Sequence, residues 1–219
     1  MTALVRIARR AFISPVLPPP RIRRLLQLYL GLHLYGAASA LLIAARLGAM
    51  PWDVLHQGLA IRSGLSIGTC SILVGALLML LWIPLRQRPG LGTVSNVVVI
   101  GLSVDATLWW LPEAEGIAAR SAYLALGILG VAVATGCYIG TRLGPGPRDG
   151  LMTGLAARGL SVRAARTGIE VAVVLTGFLL GGTVGVGTLL FAVTIGPLVH
   201  VVLPRTDIPP ETGPRGPAA

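Results

Sequence analysis

Asp53 and Asp149 are two of only eight acidic residues in the chain, and each sits in a version of the same phrase. The first reads RLGAMPWDVLHQGLAIRSG, Arg46 to Gly64, and the second RLGPGPRDGLMTGLAARG, Arg142 to Gly159. A carboxylate just after a proline suits a helix N-cap, where its oxygen accepts from free backbone amides. It also suits charge pairing with Arg142, Arg148 or a bound cation. The residues around the two acids differ: Trp52, His56 and Gln57 correspond to Arg148, Met152 and Thr153. If both phrases line one site, that asymmetry sets its selectivity. Glu170, Asp105 and Asn96 complete the substrate- or ion-binding candidates, with Asp53, His56, Gln57, Arg148 and Asp149. Glu170 lies one turn beyond Arg166, the spacing of a helical ion pair, yet an acid in an apolar helix is also a candidate for ion or substrate coupling. Asp105 corresponds to His200, which allows either a proton relay or simple capping. Asn96 suits a hydrogen bond between helices.

Other chemistries lack their residues. No Ser/His/Asp set, Cys/His pair or Gly-x-Ser-x-Gly occurs, so the chain does not read as an enzyme. Cys70 and Cys137 have no metal-ligand spacing and read as small buried hydrophobes. Neither a metal nor a cofactor is expected. The glycines of GGTVGVGT suit a tight turn, because the lysine and strand context of a phosphate loop are missing.

The elements that hold these residues follow from composition. Charged residues make up 12% of the chain, about half the ~25% usual in soluble domains. The mean hydropathy is +0.79. Uncharged runs such as Leu25 to Ala45 and Ser121 to Thr141 reach the ~20 residues that a spanning helix needs. The expected fold class is all-α, a polytopic transmembrane helical bundle. Six spans are expected, roughly 25–45, 66–85, 91–111, 121–141, 165–183 and 186–203. The net charge is +10, carried entirely by arginine. These arginines cluster beside apolar runs, where they fix orientation, so nucleic acid is not an expected partner. Arg21, Arg23 and Arg24 before the first span, Arg86 and Arg88 after the second, and Arg205 after the last mark the inside. Glu113 and Glu115 mark the outside. Arg46 and Arg62 are the exception, since six spans put them outside or in a re-entrant segment.

The phrases belong to a longer duplication. At a shift of 96, Arg46–Arg62 and Arg142–Arg158 agree at ten of seventeen positions. At a shift of 95, GLGTVSNVVVIG from Gly90 and GVGTLLFAVTIG from Gly185 agree at six of twelve. The copies, 25–111 and 112–203, hold three spans each. Three is odd, so the second copy enters the membrane from the opposite side, as in the inverted repeats of many secondary transporters. Each phrase then reads as a broken turn plus a short helix, either re-entrant or lying at the interface. Pro51 and Pro147 are expected to stop the preceding helix. Arg46 and Arg142 offset the negative end of that helix. Gly48, Gly58, Gly144, Gly154, Gly187 and Thr188 complete the structural motif. Polar backbone at membrane depth is tolerated only when protein or a water cavity covers it. Paired interrupted segments therefore point to a transporter's site.

MPWDVLHQGLA, GLSIGT, GLGTVSN, GPGPRDGLMTGLA and the run from Arg166 to Val199 resemble the bacterial YczE/YitT-type integral membrane proteins, from about Leu25 to Leu203. The resemblance implies a bacterial inner-membrane protein of about six spans and supplies no catalytic residues.

The leading expectation is a small secondary transporter or permease with a site between the repeats. The alternative is a non-transporting membrane protein that assembles with or regulates another membrane-bound system. The expected partners are the lipid bilayer and a small-molecule or ion substrate, and a homo-oligomer is compatible with both readings. The expected location is the plasma (inner) membrane, multi-pass, with both termini cytoplasmic. Residues 1–24 read as a basic cytoplasmic arm, and 204–219 as a disordered tail.

Overall fold

The computed structural model describes residues 17–209, which contain eight helices and no strands. They are α1 (Arg21–Ala44), α2 (Pro51–Ser63), α3 (Ile67–Leu85), α4 (Leu91–Trp110), α5 (Gly116–Gly140), α6 (Pro147–Ala156), α7 (Val162–Leu179) and α8 (Val186–Thr206). Five of them, α1, α3, α4, α5 and α8, are long and apolar enough to cross a membrane. The helix expected at 165–183 is α7. It has 18 residues, with Arg163, Arg166 and Glu170 in its first half, so its apolar part is short. Large apolar side chains cover the outside of the bundle, including Leu73, Leu77 and Leu80 on α3 and Leu189 and Val193 on α8. A soluble protein would bury such a belt. The chain is a multi-pass membrane protein.

The short helices are where the two phrases stand, but the prolines act differently from expectation. Pro51 and Pro147 open α2 and α6 rather than closing the helices before them. A proline at the first helical position loses no hydrogen bond and arrives with helical φ. α1 and α5 end earlier, at Ala44 and Gly140. The chain then turns through Arg46 and Gly48 (φ 53° and 112°) and through Arg142 and Gly144 (φ 56° and 130°). At Gly48 and Gly144 a side chain would be strained by φ, and its Cβ would also meet Gly185 N at 2.6 Å or Thr93 Oγ1 at 2.7 Å.

Three hydrogen bonds made by each of the two turns match residue for residue. Gly92 N–H donates to Leu143 O at 2.9 Å, and Gly187 N–H donates to Leu47 O at 2.8 Å. Thr93 Oγ1 donates to Pro145 O at 2.7 Å, and Thr188 Oγ1 to Ala49 O at 2.8 Å. Each hydroxyl also accepts a local backbone amide, Gly90 N–H at 3.2 Å and Gly185 N–H at 3.3 Å. After the turns, Arg46 pairs with Glu113 at 3.5 Å and Arg142 with Asp207 at 2.6 Å. Each copy of the sequence thus holds the turn of the other.

α1 and α5, the first helix of each copy, form the central pair. α2 leans on α7, and α6 leans on α3. The first contact is close because Gly58 faces the Gly177 carbonyl, 2.5 Å from where a Cβ would stand. In the second, Gly150 makes room for Trp82, whose indole N–H donates to Pro147 O at 3.0 Å.

Both ends of the described chain depart from expectation. Arg21–Arg24 are the first turn of α1, not part of an arm. Arg24 is 1% exposed. Its guanidinium donates to Thr141 O at 2.7 Å, Ile208 O at 3.1 Å and Pro209 O at 3.0 Å, and to Pro19 O at 3.1 Å. α8 extends to Thr206, and Ile208 is buried and bonded to Gly140 O at 2.9 Å. The start of the expected tail is therefore packed structure. A helix end leaves carbonyls without partners, and Arg24 supplies the donors. Residues 1–16 and 210–219, the rest of the arm and tail, lie outside the described residues.

Candidate functional site

Starting α2 and α6 at their prolines puts Asp53 and Asp149 at the third helical position of each. This corrects the N-cap expectation: Met50 and Gly146 occupy the caps, and neither caps through a side chain. Both carboxylates turn inward. Asp53 is 4% exposed and His56, one turn on, 1%. His56 Nδ1 and Asp53 Oδ1 hydrogen-bond at 3.2 Å. The far atoms of this pair, Asp53 Oδ2 and His56 Nε2, are buried without a partner. Buried polar atoms normally have one.

On α6, Asp149 Oδ2 accepts from the Tyr138 hydroxyl at 3.2 Å. Arg148 lies over the Trp52 ring, 4.9 Å from its centroid, so the first turns of the two short helices meet. Arg148 forms no ion pair within 4.0 Å among the described residues. Tyr35 packs edge-on against Tyr138 with ring centroids 6.2 Å apart.

Two cavities adjoin this cluster. A small one of about 70 Å³ is lined by Tyr35, His56, Asn96, Tyr138, Arg148 and Asp149, among others. It has room for one or two waters at ~30 Å³ each. A larger one of about 370 Å³ shares Tyr35, Tyr138, Arg148 and Asp149. Its polar rim is Arg166, Glu170 and His200, and its apolar wall includes Val131, Phe191 and Ile195. Asp149 also borders a third hollow of about 320 Å³ beside Arg142 and Gly144. A further hollow, about 1000 Å³, lies beside the first turns of α1, and no acid or histidine lines it.

The other expected residues divide. Glu170 pairs with Arg166 at 2.9 Å and lines the larger cavity. Asn96 lines the smaller one. Gln57 lines neither, and its Oε1 accepts from Thr183 N–H at 3.0 Å. Asp105 is also committed elsewhere. It accepts from Ser66 Oγ at 2.5 Å and Gly68 N–H at 2.7 Å, holding the first turn of α3. It forms no relay with His200. Gly154 is less tightly confined than Gly58, since a Cβ there would stand 3.1 Å from the Leu85 Cδ1 methyl. Sequence reading missed Tyr35 and Tyr138. A usable signal existed, because a tyrosine within an apolar span must find a partner for its hydroxyl when buried.

Outside the spans, the Arg142 guanidinium holds the Asp207 carboxyl below the usual range for an aspartate, and Asp207 in turn raises Arg142.

A family model described as a family of unknown function, DUF6198, matches residues 22–204. The chain belongs to DUF6198. The DUF6198 segment contains every cavity-lining residue named above. The chain is 42% identical to an uncharacterized protein of Haemophilus influenzae over 177 residues, 80% of this chain and 81% of the relative. It is 32% identical to the uncharacterized membrane protein YczE of Bacillus subtilis over 162 residues, 73% and 75% of the two chains. It is 26% identical to the uncharacterized protein YyaS of the same organism over 185 residues, 81% and 91%. The YczE resemblance read from the motifs is thereby shown. No solved structure matches the chain.

Proposed function

We propose that this DUF6198 member is a small secondary transporter whose site lies where the first turns of α2 and α6 meet. One observation carries the reading. His56, Arg148 and Asp149, from corresponding short helices of the two copies, line two adjoining cavities that share Arg148 and Asp149, and Asp53 backs His56 with a hydrogen bond. Ionisable groups at membrane depth are costly and mark substrate or ion pathways.

An inverted repeat supports the same reading. The matched exchange of Gly92, Thr93, Gly187 and Thr188 bonds is what a pseudo-two-fold axis would produce. The Arg24 contacts gather the start of α1 and the ends of α5 and α8 at one end of the bundle. The Arg46–Glu113 pair gathers the ends of α1 and α4 at the other. Arg21, Arg23 and Arg205 then mark a cytoplasmic face with both termini. The first turns of α2 and α6 meet at Trp52 and Arg148, so both short helices start inside the bundle, as re-entrant helices do. α7, with its short apolar part, is the sixth span in this reading.

The test is thermal stability of the detergent-purified protein against metabolites and ions, beside Asp149→Asn and Glu170→Gln. A ligand bound only by the folded protein raises its stability by ~2.7 kcal/mol at a hundred times Kd. A compound that shifts the wild type, loses its effect in a variant and enters liposomes containing the protein is the expected result. Binding without uptake of any compound refutes transport. α7 favours a second reading, assembly with another membrane protein. Only Ala165 and Gly177 of this helix are buried, while Leu175, Phe178 and Leu179 face outward.

A further inference from the structure

The larger cavity presents two opposite charges, neither of them spent on the other. Arg148 has no carboxylate within 4.0 Å among the described residues. Its Cζ lies 4.9 Å from the Trp52 ring centroid, and the planar guanidinium carries five donors along its edge. Asp149 receives one side-chain hydrogen bond, from Tyr138, although a carboxylate has about four acceptor positions. The other ions of the cavity, Arg166 and Glu170, are paired with each other at 2.9 Å. Beside the free pair the wall is apolar, with Val131, Met152, Phe191 and Ile195. The volume, about 370 Å³, falls in the range of small-molecule sites, ~300–1,000 Å³.

We infer that the cavity binds a small zwitterion, a molecule with a carboxylate and an ammonium on an apolar frame. The carboxylate sits on the Arg148 fork, since planar guanidinium suits bidentate recognition of that group. The ammonium sits on the open side of Asp149. The apolar remainder lies along Phe191 and Ile195. An anion alone would meet Asp149. A cation alone would meet Arg148. A molecule with both charges adds no net charge to a partly buried site, where an unpaired charge is costly. The second copy alone provides this arrangement, because Trp52 stands where Arg148 would be in the first. Unpartnered His56 Nε2 in the adjoining small cavity offers a further polar contact, direct or through water, to whatever lies between Tyr35 and Arg148.

This assignment deepens the transport reading and rests on it for the purpose of the site. Its test uses the whole protein in detergent at neutral pH and three probes: leucine, 4-methylpentanoate, which lacks the ammonium, and 3-methylbutylamine, which lacks the carboxylate. Binding is read by calorimetry and by thermal shift. Losing one charge-assisted contact weakens affinity by roughly tenfold to a hundredfold. Leucine is expected to bind at least ~10-fold tighter than either half. Arg148→Lys keeps the charge but loses the fork, and is expected to weaken leucine by ~10-fold or more. Equal binding of one half and leucine overturns the inference, as does no response to any probe. If Arg148→Lys does not fold, the three probes on the wild-type protein decide by themselves. Leucine that binds but is not taken up by liposomes refutes transport and leaves the zwitterion site standing. Uptake of another solute with leucine silent does the reverse.

Discussion

Arg24 is the one arginine of the first helical turn that is fully buried, and replacing it with methionine gives a quantitative test of how the bundle is closed. Methionine keeps the length and the helix propensity of the position. The substitution removes four donors' worth of hydrogen bonds, to Pro19 O, Thr141 O, Ile208 O and Pro209 O. A hydrogen bond to a charged group contributes ~1.5–3 kcal/mol, and an unsatisfied buried carbonyl costs ~1–3 kcal/mol. These gains are offset by the cost of burying the guanidinium itself. Thr141 O and Ile208 O are the bonds classed as fully buried. Counting those two bonds at ~2–3 kcal/mol each and subtracting part of the desolvation cost leaves ~3–5 kcal/mol. At ~2–4 °C per kcal/mol for a chain of this size, the melting temperature should fall by ~6–20 °C. Thermal unfolding in detergent measures that. Hydrogen exchange at Ile208, whose amide bonds Gly140 O at 2.9 Å, should quicken at the same time, because the clamp holds the segment after α8. Arg24→Lys, with one ammonium in place of a fork, should fall between. A loss below ~1 kcal/mol with unchanged Ile208 exchange would show that other contacts close this end and that the hydrogen-bond argument fails.

Thr93→Val and Thr188→Val each remove a donor to a carbonyl and an acceptor for a local amide, so each should cost ~1–2 kcal/mol. The two costs should match within ~0.5 kcal/mol in chemical unfolding, and unequal costs would count against equivalent turns. Gly58→Ala puts a Cβ 2.5 Å from the Gly177 carbonyl and should cost ~1–3 kcal/mol. Gly154→Ala, its sequence equivalent, meets side chains rather than backbone, Leu85 at 3.1 Å and Gln87 at 3.3 Å, and should be better tolerated. The same unfolding assay compares them. The Arg142–Asp207 contact lowers the Asp207 carboxyl, so its stabilisation is complete above the ordinary aspartate value of ~3.9 and fades as pH falls through the lowered one. Asp207→Asn should remove that acid-side dependence from Ile208 exchange while leaving exchange within α1 unchanged.

Much of the fold is legible in the sequence because the bilayer simplifies the reading. A spanning helix must be long, apolar and nearly uncharged, so the expected spans 66–85 and 91–111 and the helices Ile67–Leu85 and Leu91–Trp110 differ by a residue at one end each. The duplicated RLG, Pro-x-Asp and Gly-x-Gly-Thr patterns also name the turns that the backbone later shows at Gly48 and Gly144. Local signals failed where two rules compete for one residue. Pro51 and Pro147 can end a helix or begin one, and only the backbone shows that they begin α2 and α6. That shift moves both aspartates from cap to interior.

What the sequence determined by itself is the class, the approximate place of the long helices and the paired phrases, because these depend on residue type and spacing along the chain. What only the tertiary structure decided is which polar groups meet. Gln57 and Asp105 are candidates by type, yet both are spent on backbone amides. Arg24 looks like an orientation signal and is a buried clamp. Tyr138 and Asp149 are eleven residues apart in sequence and on different helices. Trp52 and Arg148 belong to different copies and touch. These pairings depend on how helices from distant parts of the chain pack, and packing is a property of shapes in contact that no single segment contains.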